Sequence, residues 1–190
     1  GMTALTPVCK IMVHMPLAMR AEKPKKILII CFGMGTAFRS ALSWDAEATS
    51  VELAPGVYQL FNFYHQDADE LARTYGRRMI VDDGRRYLER TSEKYDLIVI
   101  DPAPPVEAVG SSLLYSRELL VLVKNHLTPN GVLAHWLPRA GGDRTTDASL
   151  LKALHEVFPN LHVYNSLNQL GYHFLASQKP LPEPDARDMR

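Results

Sequence analysis

The chain has 190 residues, a formal net charge of zero from 21 basic and 21 acidic side chains, 46% hydrophobic residues and 22% charged ones. That length suits one domain with a full core, and the composition is that of an ordinary globular protein. Balanced, well-mixed charge excludes bulk steering toward nucleic acid, and no apolar run reaches the ~20 residues a membrane helix needs. The expectation is therefore a cytoplasmic protein with neither a nucleic acid nor a membrane as partner. Cys9 and Cys31 have no zinc-type spacing, and Cys31, inside an apolar run, reads as a small core residue.

In chain order, residues 1–25 read as a lead-in, with a short helix at His14-Met15-Pro16-Leu17-Ala18 on the rim of a sheet. The apolar run 26–32 is the first strand and enters the turn Gly33-Met34-Gly35, from which a helix over 36–44 departs. A second strand covers 48–53. Pro55 is placed to start a helix, and Val57, Leu60, Phe61, Tyr64, Ala68, Leu71 and Tyr75 form a 3.6-residue stripe that Gly76 ends. A third strand at 78–82 precedes a short helix at 85–90, and a fourth strand covers 95–101. Pro102-Ala103-Pro104-Pro105 opens a loop running through Ser112, since consecutive prolines fit neither a helix interior nor a central strand. A helix over 116–126, a turn at Thr128-Pro129-Asn130-Gly131 and a fifth strand at 132–137 follow. After a polar loop at 138–145, Thr146 or Asp147 caps a helix ending near Val157. Strands 161–165 and 170–177 close the sheet as an antiparallel pair. The alternation predicts an α/β fold: a Rossmann-like, mostly parallel seven-stranded sheet with helices on both faces and an antiparallel edge. Residues 26–177 form that domain, and 178–190 form a flexible tail.

Carboxylates stand where the apolar runs stop. In an open parallel sheet those stops share one edge, where ligands bind. Glu52 ends the second strand, where a carboxylate accepts hydrogen bonds from both ribose hydroxyls; the plainer reading is a solvated strand end. Asp83 follows the third strand. It suits an adenine amino group, with a neighbouring backbone N–H at Gly84 for a ring nitrogen, or the N-cap of helix 85–90, or both. Asp101 ends the fourth strand and is placed to orient an amine and take its proton, or else to anchor the loop. Gly33 and Gly35 allow backbone to approach a ligand. The third glycine of a dinucleotide turn is replaced by Phe38 or Arg39, which argues against pyrophosphate packing. Tyr115 lines a pocket or packs on the sheet. His135, beside Trp136, faces the cleft or the core. The seven histidines form no metal-ligand set, so no metal is expected.

Taken in series, these residues resemble the spermidine synthase (polyamine aminopropyltransferase) family, a branch of the class I S-adenosylmethionine-dependent methyltransferase fold. The resemblance spans about residues 11–177. Its pieces are His14-Met15-Pro16-Leu17, Lys25-Lys26-Ile27-Leu28-Ile29-Ile30, Val51-Glu52, Asp83-Gly84-Arg85 and Tyr95-Asp96-Leu97-Ile98. It continues with Asp101-Pro102, Leu114-Tyr115-Ser116-Arg117-Glu118 and Leu127-Thr128-Pro129-Asn130-Gly131. It implies transfer of an aminopropyl group from decarboxylated S-adenosylmethionine to an amine, with Glu52 on the ribose, Asp83 and Gly84 at the adenine, and Asp101 as base. Gly33 and Gly35 would lie along the donor, and His14 and Tyr115 beside the substrate.

The resemblance also implies a small-molecule amine as partner, and relatives form dimers. The departures cluster on the diamine side. Met34 stands where the family has an Asp for the donor's amino end, Pro104 where it has a second Asp, and Val8 and Lys10 where it has Tyr and Glu. On this resemblance the family's small N-terminal β-domain is expected to be missing. A methyltransferase using S-adenosylmethionine itself, and a non-catalytic nucleoside-binding domain, are the other two readings.

Overall fold

The computed structural model describes residues 3–102, 112–138 and 144–182, leaving aside the side chains of Arg144, Thr146 and Asn168. The expected loops after Pro102 and Pro138 and the expected flexible tail lie largely outside the described residues.

The elements are α1 (Thr6–Ala18), β1 (Lys26–Ile30), α2 (Thr36–Leu42), β2 (Glu47–Glu52), α3 (Pro55–Gln59), α4 (Phe61–Tyr64), α5 (Ala68–Tyr75), β3 (Met79–Val81) and α6 (Gly84–Arg90). They continue with β4 (Tyr95–Ile100), α7 (Arg117–His126), β5 (Leu127–Pro138), α8 (Arg144–Val157), β6 (Asn160–Asn165) and β7 (Gly171–Ser177). One sheet runs in the order β3-β2-β1-β4-β5-β7-β6. The first five strands are parallel, and β7 runs antiparallel to both of its neighbours. This is the expected architecture, with the reversed strand second from the edge.

Both faces are covered, so the central strands are apolar along their whole length. Ile27 and Ile29 of β1 point into a core shared with α1 and α2, while Leu28 and Ile30 point into the core under α6, α7 and α8. The two-residue period of a strand sorts them. Strand order reverses between β1 and β4, and that crevice is where an open α/β sheet binds ligands.

Four local expectations are corrected. First, the stripe from Val57 to Tyr75 is three short helices rather than one. Phe61 is the cause. Its ring is buried against Phe32, with centroids 4.9 Å apart, and lies over Gly35, where a Cβ would overlap it. Drawing Phe61 into the sheet turns the chain, and His65 adopts an extended conformation. Second, residues 128–131 bulge out inside β5, between the Tyr95–Leu127 and Leu97–Val132 pairings, instead of preceding the strand. Third, the rim helix at 14–18 is the end of a thirteen-residue helix that buries Val8, Met12, Val13 and Leu17. Helix α8 also begins at Arg144, ahead of the expected caps at Thr146 and Asp147. Among the described residues no helix is long and apolar enough to cross a membrane.

Candidate functional site

A cavity of about 460 Å³ opens at the C-terminal ends of the parallel strands, within the range of small-molecule sites. Its floor comes from strand ends taken in sheet order. Asp83 and Gly84 follow β3, Val51 and Glu52 end β2, Ile30 ends β1 with Cys31 just after it, Asp101 and Pro102 follow β4, and Trp136 lies in β5. Leu5, Val8 and Cys9 at the start of α1 form one wall. Gly33 and Met34 form a second, Leu53, Ala54 and Val57 a third, and Leu114 a fourth. Three carboxylates line the cavity and, among the described residues, no Lys, Arg or His does. The charge of these three carboxylates favours a cation in the space.

Glu52 is held from both sides. Its Oε2 accepts from the Phe32 N–H at 2.9 Å and its Oε1 from the Ala54 N–H at 3.0 Å. Each carboxylate oxygen keeps a lone pair for a further donor. The two bonds tie the glycine turn to the start of α3 and fix the side chain at the cavity wall. Asp83 caps α6, its Oδ1 accepting from the Arg86 N–H at 3.0 Å, and still lines the cavity. Asp82 turns away: it accepts from the Asp83 N–H at 2.9 Å and pairs with Arg90.

Asp101 differs in kind. It follows the fully buried β4, and burial pushes its carboxyl up to about 6, opposed by a hydrogen bond from the Cys9 thiol. Burial and the Asp101 charge push that thiol well above its usual range, so Cys9 stays protonated and serves as a donor. A carboxyl near 6 is ionised at neutral pH and basic enough to accept a proton there.

Of the residues the sequence singled out, the structure brings Gly33, Glu52, Asp83, Gly84 and Asp101 to one cavity and leaves Gly35, His14 and Tyr115 off its surface. Gly35 has φ 77°, opens α2 and lies beneath Phe61, so packing and turn geometry account for its lack of a side chain. His14 faces α2 and accepts at Nδ1 from the Trp44 indole N–H at 3.0 Å. The Tyr115 hydroxyl donates to the Trp136 carbonyl at 3.3 Å, and its ring packs 4.7 Å from His135. His135 is buried and held by the Leu114 carbonyl at 3.0 Å, and burial lowers it to about 4, leaving it neutral.

Four lining residues, Cys31, Trp136, Leu114 and Cys9, are not singled out from the sequence as site residues. Cys31 is not inside the strand: β1 stops at Ile30, and Cys31 sits half-buried at φ 71°, packed against the core on one side and lining the cavity on the other. Trp136, Leu114 and Cys9 complete the side opposite Asp83. Strand alternation would have found Trp136, since it shares a sheet face with Val132 and Ala134.

The family model described as "Spermine/spermidine synthase domain" matches residues 6–167. The polyamine aminopropyltransferase of Sulfolobus acidocaldarius is 31% identical over 156 residues, covering 79% of this chain and 50% of the relative. Polyamine aminopropyltransferase 2 of Pseudomonas aeruginosa is 30% identical over 158 residues, covering 80% of this chain and 44% of the relative. The chain thus spans about half the length of these curated relatives. A crystal structure of a spermidine synthase in complex with the transition-state analogue AdoDATO superposes with a TM-score of 0.77 at 21% identity, over 96% of this chain and 63% of that one. Human methyltransferase-like protein 13 in complex with SAH superposes at 0.63 and 20% identity, over 96% and 85%. These two likenesses concern the fold.

Proposed function

Because the chain belongs to the spermine/spermidine synthase domain family, we propose that it is an aminopropyltransferase, taking decarboxylated S-adenosylmethionine as donor and an amine as acceptor. One observation carries this reading: Glu52, Asp83 and Asp101 line a single cavity at the ends of β2, β3 and β4, across the switch point. In this arrangement Glu52 binds the ribose hydroxyls, Asp83 and the Gly84 N–H bind the adenine, and Asp101 faces the acceptor nitrogen. The acceptor amine is an ammonium in water and must lose a proton before it attacks. Asp101 takes that proton. The sulfonium carbon is already activated, so alignment of nucleophile and leaving group supplies much of the rate. The three carboxylates in the lining suit a donor whose reacting group carries positive charge.

Met34 favours a second reading. It lines the cavity at the turn where the family pattern has an Asp for the donor's amino end, which weakens selection for the decarboxylated donor over S-adenosylmethionine. Calorimetry with methylthioadenosine, S-adenosylmethionine and its decarboxylated form separates the two. The expected order places the decarboxylated donor ahead of S-adenosylmethionine; the reverse order points to methyl transfer. Glu52→Ala weakens methylthioadenosine by about 1–3 kcal/mol, the scale of lost charged hydrogen bonds, and Glu52→Gln weakens it less. A folded chain that binds none of the three nucleosides refutes this function.

A further inference from the structure

The turn that carries Leu114 is fastened to β5 by side-chain hydrogen bonds. Ser112–Tyr115 form a 3₁₀ turn, and α7 departs just after it. The Leu114 carbonyl meets His135 Nε2 at 3.0 Å. The Tyr115 hydroxyl donates to the carbonyl of the next residue, Trp136, at 3.3 Å, and the Tyr115 and His135 rings lie 4.7 Å apart. Consecutive residues of β5 thus hold consecutive residues of the turn. His135 pairs with Ile100 in the β4–β5 register, so the fastening sits one residue before Asp101 along β4. Leu114 and Trp136 line the same cavity as Asp101.

His135 is 1% exposed, and the strand residues two before and two after it, Leu133 and Leu137, are buried in an apolar core. A polar ring there loses water and needs a partner inside the protein. A carbonyl only accepts, so this bond requires the proton on Nε2. Burial keeps the ring neutral near pH 7, and Nδ1 then carries no proton. A leucine or phenylalanine would suit the same apolar face, but neither could hold the Leu114 carbonyl.

We propose that His135 is a positioning residue for the acceptor: its Nε2–H fixes Leu114, and with it the wall along which the amine lies, relative to Asp101. This rests on the aminopropyl-transfer reading of the site and adds to it a residue that touches neither substrate. The donor's nucleoside lies at the ends of β2 and β3, on the far side of β1, so its grip does not run through this bond. A displaced Leu114 lets the acceptor nitrogen drift from its line of attack, and a misplacement of about 1 Å is enough to slow transfer by about 10².

Nitrogen NMR of the unsubstituted chain supplies the first readout. A neutral His135 ring with its proton on Nε2 is expected, and a proton on Nδ1 instead overturns the proposal. Calorimetry of n-butylamine and of putrescine into the chain saturated with methylthioadenosine supplies the second. It compares His135→Phe, which keeps a ring without the donor, with His135→Gln, which keeps an N–H at similar reach. For the tighter-binding amine, His135→Phe is expected to weaken binding about tenfold and His135→Gln by less than about threefold, with methylthioadenosine affinity unchanged in both. Equal losses in the two variants, no loss in His135→Phe, or a parallel loss of methylthioadenosine affinity overturns the proposal. Binding of neither amine to an unsubstituted chain that holds methylthioadenosine overturns it as well. Adding the amine is also expected to shift the Nε2–H resonance of the unsubstituted chain; a resonance that stays put overturns the proposal even where His135→Phe does not fold. Absence of methylthioadenosine binding overturns instead the function on which the proposal rests.

Discussion

Asp101 is held against its own preference. A carboxyl raised to about 6 on folding takes up a proton that the unfolded chain releases near 4. Its burial is therefore free below about pH 4, grows costly as pH rises toward 6, and stays costly above. Asp101→Asn is expected to raise stability at pH 8 by an amount on the order of 3 kcal/mol, from about 1.4 kcal/mol per pKa unit, and to change it little near pH 4. Urea melts at the two pH values read this directly. The same substitution lowers kcat by about 10²–10⁴, the usual contribution of a general base, while methylthioadenosine affinity stays within twofold. An Asn variant that turns over at the wild-type rate removes Asp101 as base. Cys9 sets where this base works. Its thiol lowers the Asp101 pKa from the value burial alone would give, so Cys9→Ala is expected to move the acid limb of the pH–kcat profile above 6. A limb that stays put would show the thiol to be a spectator. Sequence made Asp101 visible because an apolar run stops there. Cys9 had no such marker: its partner is 92 residues away in the chain, and only the docking of α1 joins them.

One carboxylate binds four elements together at the opposite end of the sheet. Asp96 accepts from the Lys25 and Lys26 N–H groups at 2.7 and 3.2 Å, from the Thr128 hydroxyl at 3.0 Å, and from Arg20 at 3.1 Å. It thereby joins the segment after α1, the first residue of β1, β4 and the bulge in β5. Burial alone would raise its carboxyl, but the two backbone bonds, Thr128 and Arg20 outweigh it and hold the carboxyl below the usual range. Removing one partner of a buried ion pair strands the other. Asp96→Ala is expected to cost about 3 kcal/mol at pH 7 by urea denaturation. A depressed folded pKa gives stability that is full above about pH 4 and lost as pH falls below it, so the difference between wild type and variant should shrink as pH falls below 4. A constant difference down to pH 2 would show that packing, not charge, carries the effect. Strands were legible here because buried parallel strands are unbroken apolar runs. Helices α3 to α5 were not: the periodic stripe from Val57 to Tyr75 is real, but a helix that kept it straight would hold Phe61 away from Gly35 and Phe32. Tertiary burial of one aromatic outweighed local periodicity.

Across the whole molecule, the cavity joins parts of the chain that pack separately. Its walls come from the start of α1, the β1 turn, the β2–α3 junction and the start of α6, while β6 and the outer half of α8 lie far along the sheet. The parallel sheet and the edge at which ligands meet it were legible, because strand order follows from alternating elements and carboxylates mark the strand ends. The α1 wall was not, since a helix that belongs to the core gave a pattern too weakly amphipathic to be assigned a face. A nucleoside held by Glu52 and Asp83 would bridge these separate walls. Local opening of any wall would then break contacts with the ligand, and amides that exchange through such openings would slow. Hydrogen exchange with saturating methylthioadenosine is expected to protect residues 5–9, 31–34 and 52–57. Strand β6, half-exposed and paired only with β7, exchanges by local fraying and should be unchanged. Protection confined to β6 and β7, or none at the β1 turn, would place the nucleoside elsewhere. Protection at 31–34 and 52–57 without 5–9 would leave the nucleoside site in place and show that α1 closes only the acceptor side, where Val8 and Cys9 face Asp101.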